Sequence, residues 1–165
     1  MPYLTRPVQA MRQLQLTCLG NFHALLDGTP LTAFQTDKVR ALLVYLLVEP
    51  KPHPRSALAQ FLWPGYSEES ANNSLRQTLH RLRHLLNDNE ADPPWLLITR
   101  QTVQINPAAS IHLDVSDFTR LIADCVAHHH SQLATCQPCL DRLQQAIELY
   151  RHDFLADFSV ADSEP

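Results

Sequence analysis

Polar and basic side chains at helical spacing form the first group of residues in this sequence that could do chemistry. No acidic residue occurs between Ser70 and Asn87. At about 100° per residue, one face of this stretch carries amide and imidazole groups flanked by arginines, in the set Asn73, Gln77, His80, His84, Arg76, Arg81 and Arg83. The DNA major groove admits an α-helix, and Asn and Gln can pair there with adenine edges and Arg with guanine edges. The pattern therefore favours either a DNA-reading helix or a solvated helix face.

Cysteine and histidine residues at metal-ligand spacing form the second group. Cys125, His128, Cys136 and Cys139 give the pattern C-x2-H…C-x2-C, whose thiolates and imidazole suit tetrahedral Zn²⁺. His129 also lies about one helical turn from Cys125 and is the alternative imidazole ligand. We predict a structural zinc ion without a catalytic role, because four protein ligands leave no open position. The alternative interpretation is free thiols beside a polar histidine loop.

The elements that position the first group follow from hydrophobic periodicity and turn residues. Residues 14–19, 21–26 and 29–31 are β-permissive, and Asp27-Gly28 is a two-residue hairpin turn. Three helices are predicted next, over 36–48 with Thr36 as N-cap, over a short stretch after Pro54, and from the N-cap Ser67 to about Leu86. Residues 95–98 and 102–105 then predict a second hairpin. We expect Tyr45, Phe61 and Trp63 to pack in the core, and Cys18 to be a buried apolar residue.

The elements that position the second group are two amphipathic helices, predicted over 117–127 and 140–150. The predicted fold class is therefore α+β. It consists of an N-terminal antiparallel sheet, three helices and a C-terminal hairpin, followed by an all-α helical hairpin.

Composition narrows the class of protein. The chain has 165 residues, of which 45% are hydrophobic and 18% charged, as expected for a folded globular protein. Only 3 Gly are present, which argues against Gly-rich phosphate loops, and neither a Gly-x-Ser-x-Gly elbow nor a nucleophile spaced with its base occurs. We therefore do not expect an enzyme. No run is long and apolar enough to span a membrane, and the first residues lack the apolar segment of a signal peptide, so a cytoplasmic location is predicted.

Charge is distributed unevenly along the chain. The formal net charge is −4, yet residues 35–86 hold seven Lys/Arg against four Asp/Glu, whereas residues 87–165 hold four against twelve. A basic middle segment beside an acidic C-terminal segment is compatible with nucleic-acid binding by the middle segment.

Four segments of the sequence resemble a known family. They are LGNFHALLDGTPL, TDKVRALLVYLL, LAQFLWPGYSEESANNSLRQTLHRLRHLL and LLITRQTVQIN, within residues 14–106. They are similar to the OmpR-type winged helix of the antibiotic-regulatory (SARP) transcriptional activators. The last third, from DVSDFTRLI to LQQAIELYRHDFLADF, resembles the start of the helical-repeat (TPR-like) bacterial transcriptional activation domain of that family.

The resemblance implies a role for particular residues. The third helix of such winged helices reads bases, which assigns base contacts to Asn73, Gln77, His80 and Arg81. It also implies contacts with the DNA backbone from residues that flank this face, lie in the wing or begin helices, namely Lys38, Arg55, Arg76, Arg83, Arg100 and Thr102. Phosphate contacts fix position and give salt-dependent affinity, whereas base contacts give specificity.

The resemblance also implies an organisation and partners. We expect a flexible N-terminus over 1–12, a winged-helix DNA-binding domain over 13–109, and the start of the activation domain over 110–165, in a fragment of a longer regulator. The expected partners are double-stranded DNA at direct repeats, RNA polymerase and tandem copies of the chain itself, in a bacterial nucleoid-associated setting. The alternative function is a protein-interaction module whose winged helix no longer binds DNA.

Overall fold

The first sheet is built around a tight hairpin. A computed structural model describes residues 12–130 and 132–158, so most of the expected flexible N-terminus lies outside the described residues. Strands β1 (Leu14–Thr17), β2 (His23–Leu26) and β3 (Thr29–Pro30) pair antiparallel. The β2–β3 turn has φ of 53° at Asp27 and 78° at Gly28, the positive values that a type I′ hairpin turn requires. The predicted hairpin is confirmed.

Three helices follow the first sheet, as predicted. They are α1 (Asp37–Val48), α2 (Arg55–Leu62) and α3 (Glu68–Leu85). Ser67 is the N-cap of α3, and its Oγ accepts a hydrogen bond of 3.3 Å from the backbone N–H of Ser70. The apolar positions of α3 recur every three or four residues and are buried, so its polar face is turned outward.

A second sheet forms the hairpin after α3. Strands β5 (Leu96–Ile98) and β6 (Thr102–Ile105) pair antiparallel, as predicted, and β4 (His53–Pro54) joins the other edge of β6. Strand β4 was not expected from the sequence because it has only two residues, one of them proline. It places the start of α2 beside the β5–β6 hairpin.

The first sheet gains a parallel strand from beyond the hairpin. Strand β7 (Ile111–Leu113) pairs with β1, which gives the order β3-β2-β1-β7 and makes the sheet mixed. The predicted domain boundary between residues 109 and 110 stays a prediction. Backbone hydrogen bonds run across it, including one of 3.0 Å from the N–H of Leu14 to the carbonyl of Ser110.

One apolar core joins the two sheets and α1–α3. Its buried members all lie between Leu14 and Leu113, and Trp95 is the largest of them at 1% exposure. Tyr45 and Trp63 pack against this core, half-buried, and Cys18 is fully buried, as expected. Phe61 is 61% exposed, so the expectation that it lies in the core is wrong. It occupies the outer face of α2, with its ring centre 4.8 Å from that of Tyr45 at the rim of the core.

The helical hairpin consists of α4 (Asp114–Ala127) and α5 (Gln137–Leu149). Both helices begin three residues earlier than their apolar periodicity predicts. For α4 the reason is Asp114, whose buried carboxylate accepts hydrogen bonds of 2.9 Å from the backbone N–H groups of Cys18 and Leu19. These bonds fix the first residue of α4 against the end of β1. None of the helices in the described residues has the length and apolarity needed to cross a membrane.

Candidate nucleic-acid interface and candidate metal centre

The outward face of α3 carries most of the residues to which base contacts are assigned. Asn73, Gln77 and His80 are exposed, whereas Arg81 is half-buried on one flank of the face. These side chains lie one turn apart along the helix, as their spacing predicts. The face is therefore a polar surface about three turns long, available to a ligand of matching length.

A polar cleft adjoins this face on its other flank. It has a volume of about 780 Å³ and is bounded by the start of α2, by α3 and by the β5–β6 hairpin. Its lining residues include three arginines and, among the described residues, no carboxylate: Pro54, Arg55, Ser56, Asn72, Arg76, Arg100, Gln101 and Thr102. The cleft thus concentrates positive charge where two of the predicted interface elements meet.

The tip of the β5–β6 hairpin is shaped by a threonine rather than by a glycine. The Oγ1 of Thr99 accepts hydrogen bonds from the backbone N–H groups of Gln101 at 3.1 Å and Thr102 at 2.9 Å. The guanidinium of Arg55 donates to the carbonyl of Thr99 at 3.3 Å, and the N–H of Arg55 donates to the carbonyl of Gln101 at 2.8 Å. Arg100 is exposed at the tip, which is tied to the start of α2.

The guanidinium of Arg83 is bound within the protein. It donates to the carboxylate of Asp88 at 3.0 Å and to the side-chain oxygen of Asn89. Asp88 is buried, and its other oxygen accepts from the backbone N–H groups of Trp95 at 2.7 Å and Leu96 at 3.1 Å. This carboxylate joins the end of α3 to β5 and so fixes the hairpin relative to the polar face of α3.

Two other basic side chains also have partners inside the protein. Lys38 donates to the carbonyl of Leu62 at 2.7 Å and lies 6.0 Å from the ring centre of Trp63, so it caps the end of α2. Arg76 donates to the side-chain oxygen of Asn73 at 2.8 Å on the exposed surface. That bond is open to solvent and can be exchanged for a ligand contact, whereas Lys38 is half-buried.

A cluster of imidazoles and thiols lies where α4 ends and α5 begins. One ligand atom from each of His128, His130, Cys136 and Cys139 lies within 4.8 Å of the others, and such a group could hold a metal ion. The Nδ1 of His128 is 3.1 Å from the Sγ of Cys139 and 3.3 Å from that of Cys136. The Nδ1 of His130 is 3.9 Å from the Sγ of Cys139.

The fourth member of this cluster differs from the one that the sequence predicts. Cys125 is buried one turn earlier in α4, and its thiol donates to the carbonyl of Cys139 at 3.5 Å. Burial, and then the neighbouring thiols of Cys136 and Cys125, raise the pKa of Cys139 from 9.0 to about 11. A thiol this basic keeps its proton at neutral pH unless a cation displaces it.

Some residues at these two places were not singled out from the sequence. Asn72 and Gln101 line the cleft, and His130 joins the metal-ligand group. Asn72 lies one helical turn before Arg76, so the sequence could have placed it on the same side of α3. His130 follows the end of α4, where helical spacing no longer determines which way a side chain points.

The sheet, three helices and β5–β6 hairpin define a winged-helix domain, with α3 as its third helix and the hairpin as its wing. The same fold is found in Mycobacterium tuberculosis EmbR, solved in complex with a low-affinity phosphopeptide, with a TM-score of 0.66 and 24% sequence identity. The match covers 88% of this chain and 38% of the EmbR chain. EmbR is a SARP-family regulator, so the resemblance read from the sequence is confirmed for the fold. No family model matches the chain. No curated protein matches it either.

Proposed function

We propose that this chain is a sequence-specific DNA-binding transcriptional regulator of the SARP type. The observation that carries the proposal is the arginine-lined cleft between α2, α3 and the wing, which adjoins the polar face of α3. In this arrangement α3 enters the major groove and the wing lies on the adjacent backbone or minor groove. The phosphates then meet positive charge on the wing side of the helix.

Base contacts are proposed for Asn73, Gln77, His80 and Arg81. The first three are exposed on the central line of the face, so their side chains reach the floor of the groove. Asn and Gln suit adenine edges, and Arg81 at the flank suits a guanine. Arg76 releases the side chain of Asn73 when it turns to a phosphate, because the two are hydrogen-bonded to each other.

Backbone contacts are proposed first for the residues of the cleft, Arg55, Arg76, Arg100 and Thr102. Lys38 and Arg83 contribute through donors that their bonds to Leu62 and Asp88 leave over. Their larger role in this proposal is to hold α2 and the wing in position. In this proposal some residues contribute to the affinity for DNA, whereas others position α2 and the wing.

The helical hairpin is proposed to be the start of an activation domain that continues in a longer protein. Val126 is 82% exposed and Ile147 is 66% exposed, apolar surface that suits packing against further helices. Tandem binding at direct repeats, contact with RNA polymerase and action on the bacterial nucleoid in the cytoplasm belong to the same proposal. The proposal includes no enzymatic activity.

The test begins with a DNA site selected from fragmented genomic DNA by the purified chain. With that site, Arg76→Ala is expected to weaken binding and to lower the slope of log affinity against log salt concentration by about 1, because one phosphate contact is lost. Gln77→Ala is expected to relax the base preference at one position and to leave the salt slope unchanged. Both quantities are measured by fluorescence anisotropy over a salt series.

Arg120→Ala is the matched control, because it removes the same charge from an exposed position on α4. It is expected to leave affinity and slope close to those of the unmodified chain. Equal slopes for the Arg76 and Arg120 variants would contradict the cleft as the phosphate site. Failure of the unmodified chain to enrich any DNA would favour the protein-interaction module instead.

A further inference from the structure

We propose that His128, His130, Cys136 and Cys139 bind one Zn²⁺ ion in a tetrahedral site that joins the end of α4 to the start of α5. The proposal concerns the helical hairpin alone and does not depend on DNA binding by α3. Its basis is the meeting of four metal-ligating atoms, from two separate turns of the chain, around one point.

Three N···S distances between the ligand atoms lie close to those of a zinc tetrahedron. With Zn–N of about 2.0 Å and Zn–S of about 2.3 Å, a nitrogen and a sulfur on one ion lie about 3.5 Å apart, and two sulfurs about 3.8 Å apart. The measured N···S distances are 3.1, 3.3 and 3.9 Å. These three edges need to change by less than about half an ångström to accept the ion, and the remaining edges are no longer than 4.8 Å.

Hydrogen bonding alone explains this arrangement poorly. The Nδ1 of His128 faces two sulfurs at once, although a ring nitrogen carries either one proton or one lone pair. Sulfur is also a weak hydrogen-bonding partner. Two nitrogens and two sulfurs within 4.8 Å of one another supply the donor set of a structural zinc site.

At the position of the cluster, a bound ion would cross-link the loop end of the α4–α5 hairpin. Few apolar side chains of α4 and α5 are buried in the described part of the hairpin, namely Leu121, Cys125, Cys139 and Ala146. So thin a core provides little apolar stabilisation, and a metal cross-link at the loop end compensates for that. The two outer ends of the hairpin are instead held by the first sheet, through Asp114 and through the backbone of Leu155, which donates to Cys18 at 2.8 Å.

The structure assigns Cys125 a supporting role in this site. Its thiol is directed to the backbone carbonyl of Cys139, so it orients the turn that carries a ligand. The set of ligands thus contains His130 in place of Cys125, and two variants can separate the two sets.

The experiment measures zinc content and zinc affinity of the chain purified after expression with added zinc. About one Zn²⁺ per chain is expected, and Co²⁺ replacing it should give the visible spectrum of a tetrahedral ion with thiolate ligands. The Co²⁺ spectrum is read on the unmodified chain, so it tests the site even where a variant fails to fold. Zinc well below one equivalent, or an octahedral Co²⁺ spectrum, would overturn the proposal.

Variants then test the ligand set. His130→Ala and Cys136→Ser are each expected to weaken zinc binding by more than the roughly 10–100-fold that loss of an outer partner costs. His129→Ala is the matched control, an exposed histidine between the two ligands, and should keep full affinity. Cys125→Ala should weaken zinc binding by no more than about 100-fold. Loss of zinc in the Cys125 variant with full binding by the His130 variant would overturn the assigned set.

Discussion

The winged helix and the helical hairpin are held together by different means. The winged helix encloses a continuous apolar core whose members run from Leu14 to Leu113. The hairpin buries few apolar side chains and exposes others, with Val126 and Ile147 more than half exposed. It depends instead on fixed ends, where buried Asp114 and the segment after α5 bond to the first sheet. A short helical pair can therefore be ordered by its attachments rather than by its own core.

The largest expected effect comes from the core of the winged helix. Leu82 is fully buried, and Leu82→Ala should lower the free energy of unfolding by about 3–5 kcal/mol, because a tightly packed site cannot collapse around the cavity. The matched change in the hairpin, Leu121→Ala, should cost about 2 kcal/mol and open α4 and α5 locally. Urea denaturation and amide hydrogen exchange measure the two effects. Equal losses would show that the hairpin has a core of the same quality.

The next effect concerns the attachment of the hairpin. Asp114→Ala should lower the free energy of unfolding by about 3 kcal/mol, since the buried N–H groups of Cys18 and Leu19 lose a charged acceptor. Hydrogen exchange should rise in α4 more than in α3. Asp117→Ala is the control. That carboxylate lies 2.9 Å from the exposed side chain of His112 and 3.1 Å from that of Arg120, so its loss should cost no more than about 1 kcal/mol. Similar losses for both variants would contradict the role of Asp114 as an anchor.

A smaller effect on stability distinguishes Arg83, which positions the wing, from Arg76, which is proposed to contact DNA. Arg83→Ala should lower the free energy of unfolding by about 1–2 kcal/mol, because buried Asp88 loses a cationic donor but keeps the N–H groups of Trp95 and Leu96. Arg76→Ala should leave stability within about 0.5 kcal/mol of the unmodified chain, because that side chain is exposed. Thermal unfolding with both variants tests the difference. Reversed effects would show that Arg76, not Arg83, fixes the wing.

The smallest effect is on thiol reactivity. Burial, and then the charge of Asp114, raise the pKa of Cys18 from 9.0 to about 12. At pH 8 the thiolate fraction falls about 1000-fold, so Cys18 should resist iodoacetamide in the folded chain and react once urea is added. The folded state holds the thiol proton of Cys18 more tightly than the unfolded state does. The contribution of this proton to the free energy of unfolding is therefore complete below pH 9 and declines as pH rises toward 12. Alkylation followed by peptide mass spectrometry checks it, and rapid labelling of Cys18 in the folded chain would contradict it.

Local signals in the sequence were sufficient for the three helices and the two hairpins of the winged helix. Residues close together in the sequence determine the Asp27-Gly28 turn, the Ser67 cap and the spacing of the apolar stripe of α3. These features can therefore be predicted from the sequence alone. The same periodicity indicated the polar face of α3. Its use as a base-reading surface stays a prediction.

Long-range contacts were beyond sequence reasoning. Strand β7 has three residues, and its pairing with β1 bridges almost one hundred residues of chain. The bonds of Arg83 and Lys38 to internal partners likewise depend on how α3 meets β5 and how α1 meets α2. That His130 rather than Cys125 joins the group of metal-ligating side chains depends on the loop after α4, where helical periodicity ends. In each case the missing information was the path of the chain in three dimensions.

The parallel pairing of β7 with β1 has a mechanical consequence. Backbone hydrogen bonds between β7 and β1, together with the bonds of Asp114, fix the start of α4 to the first sheet. If the winged helix binds DNA as proposed, the hairpin therefore turns together with it as one rigid unit. For copies bound in tandem, the angle at which each hairpin projects around the DNA axis then follows from the spacing of their sites. Sites one full turn apart, about 10.5 base pairs, would place the hairpins in phase, and an insertion of half a turn would place them on opposite sides.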